Sequence, residues 1–344
     1  MSADPVLELP QVLCFGEALV DRLGPPGGLG GPTEDRLGGA PANAAAALAR
    51  LGTPAAFLGR LGEDAIGAAF AALFAERGVQ DAALQWDPSR PSRTVLVERD
   101  HAGERRFGGF AGDRGMGFAD QAVAAELLAA PLEALLAEAR WLLLGTIPLA
   151  SPASAAALRL ALGRARARQV AVALDVNWRP TFWGLPADQG PSPAQLERFQ
   201  PLLEQADLIK CAAEEAAWLF GPEADPQAIR ERLPRRPAVL ISDGGRPLRW
   251  CLGACAGELP AFPVTVVDST GAGDAFTAGL LHGLCRQPEL LEAAAADRGR
   301  LESLLRFASA CGAITCGAAG AIDPQPSGSE VERFLMEQAT PLPA

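Results

Sequence analysis

The string Asp268-Ser269-Thr270-Gly271-Ala272-Gly273-Asp274 has the make-up of a phosphate-handling turn. Two glycines with one small residue between them allow positive φ and leave no side chain in a ligand's way. Ala275 to Leu284 beyond them is apolar and helix-permissive. A turn of this kind aims several amide N–H groups and the positive end of a helix dipole at one spot. Asp274 is out of place beside a bound polyanion unless it has work to do there. It can accept the proton of an incoming hydroxyl as a γ-phosphoryl group moves onto that hydroxyl. The competing reading is an N-cap aspartate behind a tight glycine turn.

Other residues suit the two ends of such a reaction. Asp21 closes the segment Gly16 to Asp21 and can accept hydrogen bonds from two hydroxyls of a polyol, or simply open a turn. Gly38 and Gly39 permit close backbone approach, and the Asn43 carboxamide can either cap a helix or face a hydroxylated ligand. Asn177 and Arg179 can meet phosphates, Arg being suited to them. Ser242, Asp243, Gly244 and Gly245 can fold around a nucleotide. Glu215, near a helix start, can act through water on magnesium. Each of these also has an ordinary reading as a salt bridge, a turn or a solvated helix end.

The elements that must position these residues read as an alternating chain. Val12–Phe15 predicts a strand, residues 24–38 a Gly/Pro-rich loop, and Ala44 to Leu51 a helix closed by Gly52. Gly59 to Gly67 predicts a turn into a helix reaching Arg77. A polar hairpin over residues 92–110, turning at 100–103, stands apart as a lid. Helices are expected over Ala122 to Ala139, interrupted at Pro131, and over Pro152 to Arg168, Glu214 to Phe220 and Pro226 to Leu233. Strands are expected at Trp141–Leu144, Val170 to Leu174, Asp207 to Lys210, Ala238 to Ile241 and Val264 to Val267, the last as a buried strand. This alternation predicts an α/β fold with an open, mostly parallel sheet covered by helices on both faces. Ligands of such sheets bind beyond the carboxyl ends of the strands. Asp21, Asp175, Ser242 and Asp268 are all expected at such ends.

Composition excludes several function classes. A net charge of −11 over 344 residues argues against a nucleic-acid surface. Lys210 is the sole lysine, so no Gly-Lys-Ser/Thr phosphate loop exists, and the Gly-x-Gly at 27–31 leads into no helix, which removes a dinucleotide fingerprint. Seven scattered cysteines without a C-x-x-C argue against a disulfide framework or structural zinc. The chain opens on no basic-then-apolar segment and holds no run of 18 apolar residues, which predicts a cytoplasmic soluble protein with no membrane partner.

From Val12 to Ile322 these features resemble the PfkB (ribokinase-like) family of sugar kinases, and within it the fructokinases. Leu37 to Gly52 is similar to the family's first signature and Val267 to Leu284 to its second. CFGEALVD at 14–21, GRLGED at 59–64, LDVNWRPTFW at 174–183, ADLIK at 206–210 and FASACGAITCGAAGAI at 307–322 follow in the family's order. The resemblance implies one kinase domain over 10–330 with a β-strand lid near 92–110, followed by a C-terminal segment and tail over 331–344. It implies a sugar touched by Asp21, Gly38, Gly39 and Asn43, with Asp274 as base. It further implies that amides of Gly271, Ala272 and Gly273 hold the moving phosphoryl group, and that ATP meets Asn177, Arg179 and Ser242 to Gly245, with Ser309 beside the adenine. The same resemblance implies a potassium-type cation among Asp268, Thr270, Thr315, Ala318 and Gly320, and magnesium near Glu215.

The implied reaction is phosphorylation of a primary hydroxyl, fructose to fructose 6-phosphate, by an enzyme that assembles as a homodimer. Another sugar or nucleoside kinase, acting on ribose or 2-keto-3-deoxygluconate, and a weakly catalytic ligand-binding regulator are the alternatives. Three departures from the family stand out. Ala212 replaces the Asn of its Asn-x-x-Glu motif, and Pro247 replaces a Gly. The stretch GGFAGDRGMGFAD lacks the usual fructokinase Arg, for which Arg106 or Arg114 is the substitute.

Overall fold

Short apolar runs bounded by turns build the centre of the molecule, because a strand buried on both faces needs no polar alternation. A computed structural model describes residues 9–26, 32–99, 105–291 and 297–339. In chain order the strands of the first half are β1 (Val12–Phe15), β2 (Leu19–Pro26), β3 (Glu34–Gly38), β4 (Ala55–Gly62), β5 (Gln80–Asp87), β6 (Arg93–Arg99) and β7 (Arg105–Ala111). Those of the second half are β8 (Trp141–Leu144), β9 (Ala171–Asp175), β10 (Leu208–Ala212), β11 (Ala238–Ser242), β12 (Leu248–Leu252) and β13 (Cys255–Leu259). The helices are α1 (Ala40–Arg50), α2 (Ala65–Arg77), α3 (Ala125–Leu135), α4 (Pro152–Ala167), α5 (Pro193–Gln205), α6 (Ala213–Phe220), α7 (Pro226–Arg232), α8 (Ala272–Arg286), α9 (Arg298–Thr315) and α10 (Gly328–Ala339).

Among the described residues nine strands form one sheet in the order β13-β12-β11-β10-β9-β8-β1-β4-β5. It is parallel except at β11–β12 and β12–β13, so the predicted α/β class holds. Successive residues of each strand serve opposite cores. Val12 and Cys14 join α1, α2, α8, α9 and α10 on one face. Leu13 and Phe15 join α3, α4, α5, α6 and α7 on the other.

The lid is larger than a hairpin. Strands β3-β2-β6-β7 form a second, four-stranded sheet, with β2–β6 parallel and β2–β3 and β6–β7 antiparallel. Residues read as loop between 24 and 38 therefore include the end of β2 and all of β3. The expected turn at 100–103 lies outside the described residues.

Four further expectations are corrected. Asp21 lies inside β2, in the lid, and not at the end of a core strand. Val264 to Val267 forms no strand: Pro260 and Pro263 interrupt the ladder donors, and Val266 and Val267 are 59% and 62% exposed. Asn43 is no cap, because α1 starts at Ala40 behind Gly39, and Asn43 N–H bonds Gly39 O at 2.8 Å. Gly59 to Gly62 belongs to β4, and Asp64 caps α2 by accepting from Gly67 N–H at 2.9 Å. The C-terminal segment is helical over residues 331–339. These residues complete α10, whose Val331 is fully buried and whose Phe334 ring lies 5.1 Å from that of Phe262. All seven cysteines are free, and among the described residues no helix is long and apolar enough to cross a membrane.

Candidate active site

The carboxyl ends of β9 and β10 face the amino end of α8, where the glycine turn lies. Asp268 shapes that turn from within. Its Oδ1 accepts from Thr270 N–H at 3.0 Å and Thr270 Oγ1 at 2.7 Å, and its Oδ2 accepts from Gly320 N–H at 2.8 Å. Gly271 is the N-cap of α8 at φ +77°. A β-carbon there would stand 2.7 Å from Ala321 Cα, so no other residue keeps this shape unstrained. Of the amides of Gly271, Ala272 and Gly273, only that of Ala272 has a backbone acceptor among the described residues, Ser269 O at 3.3 Å.

Asp274 occupies the first turn of α8 and accepts a 2.8 Å hydrogen bond from Asn43 Nδ2 on α1. Burial pushes its carboxyl up to about 6; Asp175 adds to the rise, while Asn43, Lys210 and Arg179 oppose it. A base with this affinity is ionised at neutral pH yet takes a proton readily. Beside it lies a cavity of about 20 Å³, room for one water, lined by Glu17, Asp175, Asn177, Asp274 and Thr277 among others. Glu17 accepts from Ala40 N–H at 3.1 Å. Burial raises its carboxyl to about 8, which favours its neutral form.

Lys210, on β10, pairs in register with Asp175 on β9, and its Nζ donates to both Asp175 oxygens at 3.0 and 3.2 Å. Thr277 Oγ1 donates to the same carboxylate at 3.0 Å. Burial works against the charged ammonium, but the carboxylates of Asp175, Glu215 and Asp274 outweigh it and hold its pKa above the ordinary value. The ammonium adjoins the turn: a β-carbon on Gly273 would lie 2.9 Å from Nζ. Glu215 stands beneath, its two oxygens accepting from Trp178 N–H at 2.6 Å and Ala212 N–H at 2.8 Å. It thereby fixes the loop that carries Asn177, at φ +42°, and Arg179. Arg179 itself donates to Trp178 O at 2.9 Å.

The sugar-side and nucleotide-side residues flank this centre. Asp21 lies over the glycine pair, since a β-carbon on Gly38 would be 3.0 Å from its Oδ2. Gly39, at φ +103°, brings the chain against Glu17 O, which a β-carbon would meet at 2.6 Å. Ser242 pairs in register with Ala212 and donates to Cys211 O at 3.4 Å. Residues 243–246 turn there, closed by Arg246 N–H to Asp243 O at 2.9 Å and an Asp243–Arg246 ion pair at 3.0 Å. Gly244 and Gly245 are exposed on that turn. Ser309 is half-buried on α9.

Comparison with known proteins decides among the phosphate-handling readings. The pfkB family of carbohydrate kinases matches residues 9–328. Fructokinase-1 of Oryza sativa subsp. japonica is 32% identical over 339 residues, 95% of this chain and 98% of its own. The crystal structure of fructokinase with bound ATP from Xylella fastidiosa is also 32% identical, covering 96% of this chain and 100% of its own at a TM-score of 0.84. The chain belongs to the pfkB family of carbohydrate kinases. A double mutant of fructokinase from Vibrio cholerae O395, in a fructose-, ADP- and potassium-bound form, is 25% identical, covering 95% of this kinase and 98% of its own chain at a TM-score of 0.75.

The kinase is thus an ATP-dependent sugar kinase, and its fold brings Asp274, Asn43, Gly39 and the 271–273 turn together. Asp268, Thr270 and Gly320 also meet. Thr315 ends α9 nearby with its hydroxyl on Cys311 O at 2.9 Å, and Ala318 is exposed on the turn that follows. Three residues around Asp274 escape a reading of the sequence. Lys210 had a signal, being the chain's single lysine. Glu17 and Thr277 had none, because their partners Ala40 and Asp175 are distant in the chain.

Proposed function

We propose that the kinase transfers the γ-phosphoryl group of ATP to the primary hydroxyl of fructose, giving fructose 6-phosphate. The observation that carries this reading is the Asn43–Asp274 hydrogen bond of 2.8 Å. It sets the base at the point where the sugar-side helix α1 meets the anion-holding turn of α8. Fructose hydroxyls are held by Asp21, Gly38, Gly39 and Asn43, which leaves the primary hydroxyl facing Asp274. The base takes that proton while Gly271, Ala272, Gly273 and Lys210 stabilise charge on the moving phosphoryl group. Asn177, Arg179, Ser242, Asp243, Gly244, Gly245 and Ser309 orient ATP. The fructokinase relatives support the choice of sugar.

Magnesium, when bound with ATP, neutralises phosphate charge. Among the described residues no three His, Cys, Asp or Glu side chains gather as a metal cluster. That arrangement fits an ion held chiefly by phosphate oxygens and water, with Glu215 acting through a water by its remaining lone pairs. Asp268, Thr270, Thr315, Ala318 and Gly320 suit a potassium-type cation, because a carboxylate and the negative end of α9 meet there. Potassium is expected to raise turnover above that in sodium or lithium at constant ionic strength. Equal rates in the three salts would remove the cation from the account.

A panel of sugars and nucleosides tests the substrate. Fructose is expected to give the highest kcat/KM and the largest loss on Asp21→Ala, because a site built for hydroxyls is left unpaired by their absence. If ribose, a nucleoside or a keto-deoxy acid leads by tenfold, about 1.4 kcal/mol of transition-state preference, fructose is the wrong substrate.

A further inference from the structure

Arg93, the first residue of β6, is 3% exposed although it carries a full charge. Its guanidinium grips Asp120 with two parallel bonds, Nε to Oδ2 at 2.8 Å and a terminal nitrogen to Oδ1 at 3.0 Å. Three rings enclose it: those of Phe118, Phe110 and Phe182 have centroids 4.4, 4.6 and 4.6 Å from its central carbon. The members of this cage come from different parts of the molecule. Phe110 belongs to β7 of the lid, and Phe118 and Asp120 to the segment that leaves the lid for the core. Phe182 sits in the short turn Pro180–Trp183, directly after Asn177 and Arg179. Phe182 also packs edge-on against Phe110, 5.2 Å between centroids.

A buried ion pair contributes little net stability compared with apolar packing, so stability alone does not account for one here. Its distinctive property is geometric. The planar guanidinium accepts the Asp120 carboxylate in one orientation and offers both faces to aromatic rings. A displacement of β6 relative to the core would act through this cage on Phe182, and so on the segment that carries Asn177 and Arg179. The small cavity beside Arg93 is lined by Glu17 as well, which also faces the cavity of Asp274.

We propose that Arg93 is a positioning residue that couples the lid to the phosphate-side loop, so that seating the lid on the sugar sets residues 177–179 for ATP. This rests on the reading of the site as a sugar kinase. Coupling of this kind has a direct measure, the factor by which sugar tightens ATP binding, commonly about 5–150 between interacting sites. Calorimetry on the intact kinase with a β,γ-imido ATP analogue, with and without saturating fructose, gives it; if another sugar leads the panel, that sugar takes the place of fructose.

Wild type is expected to show a factor of about ten, within that range. Arg93→Lys keeps the charge but loses the planar grip, and the factor should fall toward one while ATP affinity without sugar stays within about twofold. Phe182→Leu leaves the ion pair intact and severs the link to the loop, and should lose the same coupling at an unchanged melting temperature. Three results overturn the proposal: no coupling in wild type, full coupling in Phe182→Leu, or an Arg93→Lys variant that is less stable yet fully coupled. Failure of the kinase reading is a separate result, namely wild type that turns over no sugar in the panel.

Discussion

Asp274→Asn should lower kcat by about 10²–10⁴-fold, the usual span for loss of a positioned base. Asparagine preserves the shape of the side chain and can still meet Asn43, but it accepts no proton. ATP affinity should survive, because the amides of the 271–273 turn and the 243–246 turn are untouched. The same assignment fixes a pH dependence. Asp274 works ionised, and burial, reinforced by Asp175, has raised its carboxyl to about 6. Wild-type turnover should therefore fall as pH drops through that value, and the residual rate of Asp274→Asn should lack this acid limb. A variant keeping more than about a tenth of wild-type turnover where chemistry limits the rate would disprove the base assignment.

Lys210→Met is expected to cost about 10²–10³-fold in kcat, the scale seen when one preorganised donor to a developing charge is removed. Methionine retains most of the stem, so packing is largely kept. The loss leaves Asp175 buried without its counter-charge, a change that destabilises proteins by about 3–5 kcal/mol. Lys210→Met with Asp175→Asn removes that imbalance and separates folding from catalysis. The double variant should recover much of the melting temperature and none of the turnover. If it folds like wild type and works within tenfold of it, Lys210 only neutralises Asp175 and has no part in phosphoryl transfer.

Much of this site was legible because its chemistry is local in the chain. The glycine turn and its aspartate are contiguous, and their composition alone demands a tight approach and a helix start. The strand ends at Asp175 and Ser242 were legible for the same reason: short apolar runs stop where a polar residue begins. What stayed hidden depends on pairing across distance. Asn43 and Asp274 are 231 residues apart, and no periodicity within either helix reveals their bond. The second role of Glu215 was hidden in the same way: its carboxylate also accepts from the Trp178 amide, 37 residues before it in the chain. Val264 to Val267 misled through propensity, since its β-branched residues have no neighbouring strand to pair with. The lid was underestimated because β2 and β3 look like loop until β6 lies parallel to β2.

That parallel pairing of β2 with β6 has a consequence for how substrate choice is inherited. Asp21 is part of the cover and not of the vessel beneath it. In the proposed reaction the carboxylate that recognises the sugar arrives on the same body that shuts water out. Recognition and enclosure are then a single event, and a molecule that fails to satisfy Asp21 also fails to close the chamber. Exchange of residues 19–38 and 93–111 between relatives should therefore carry sugar preference with it, while Asp274 and the nucleotide turn stay behind as a common engine.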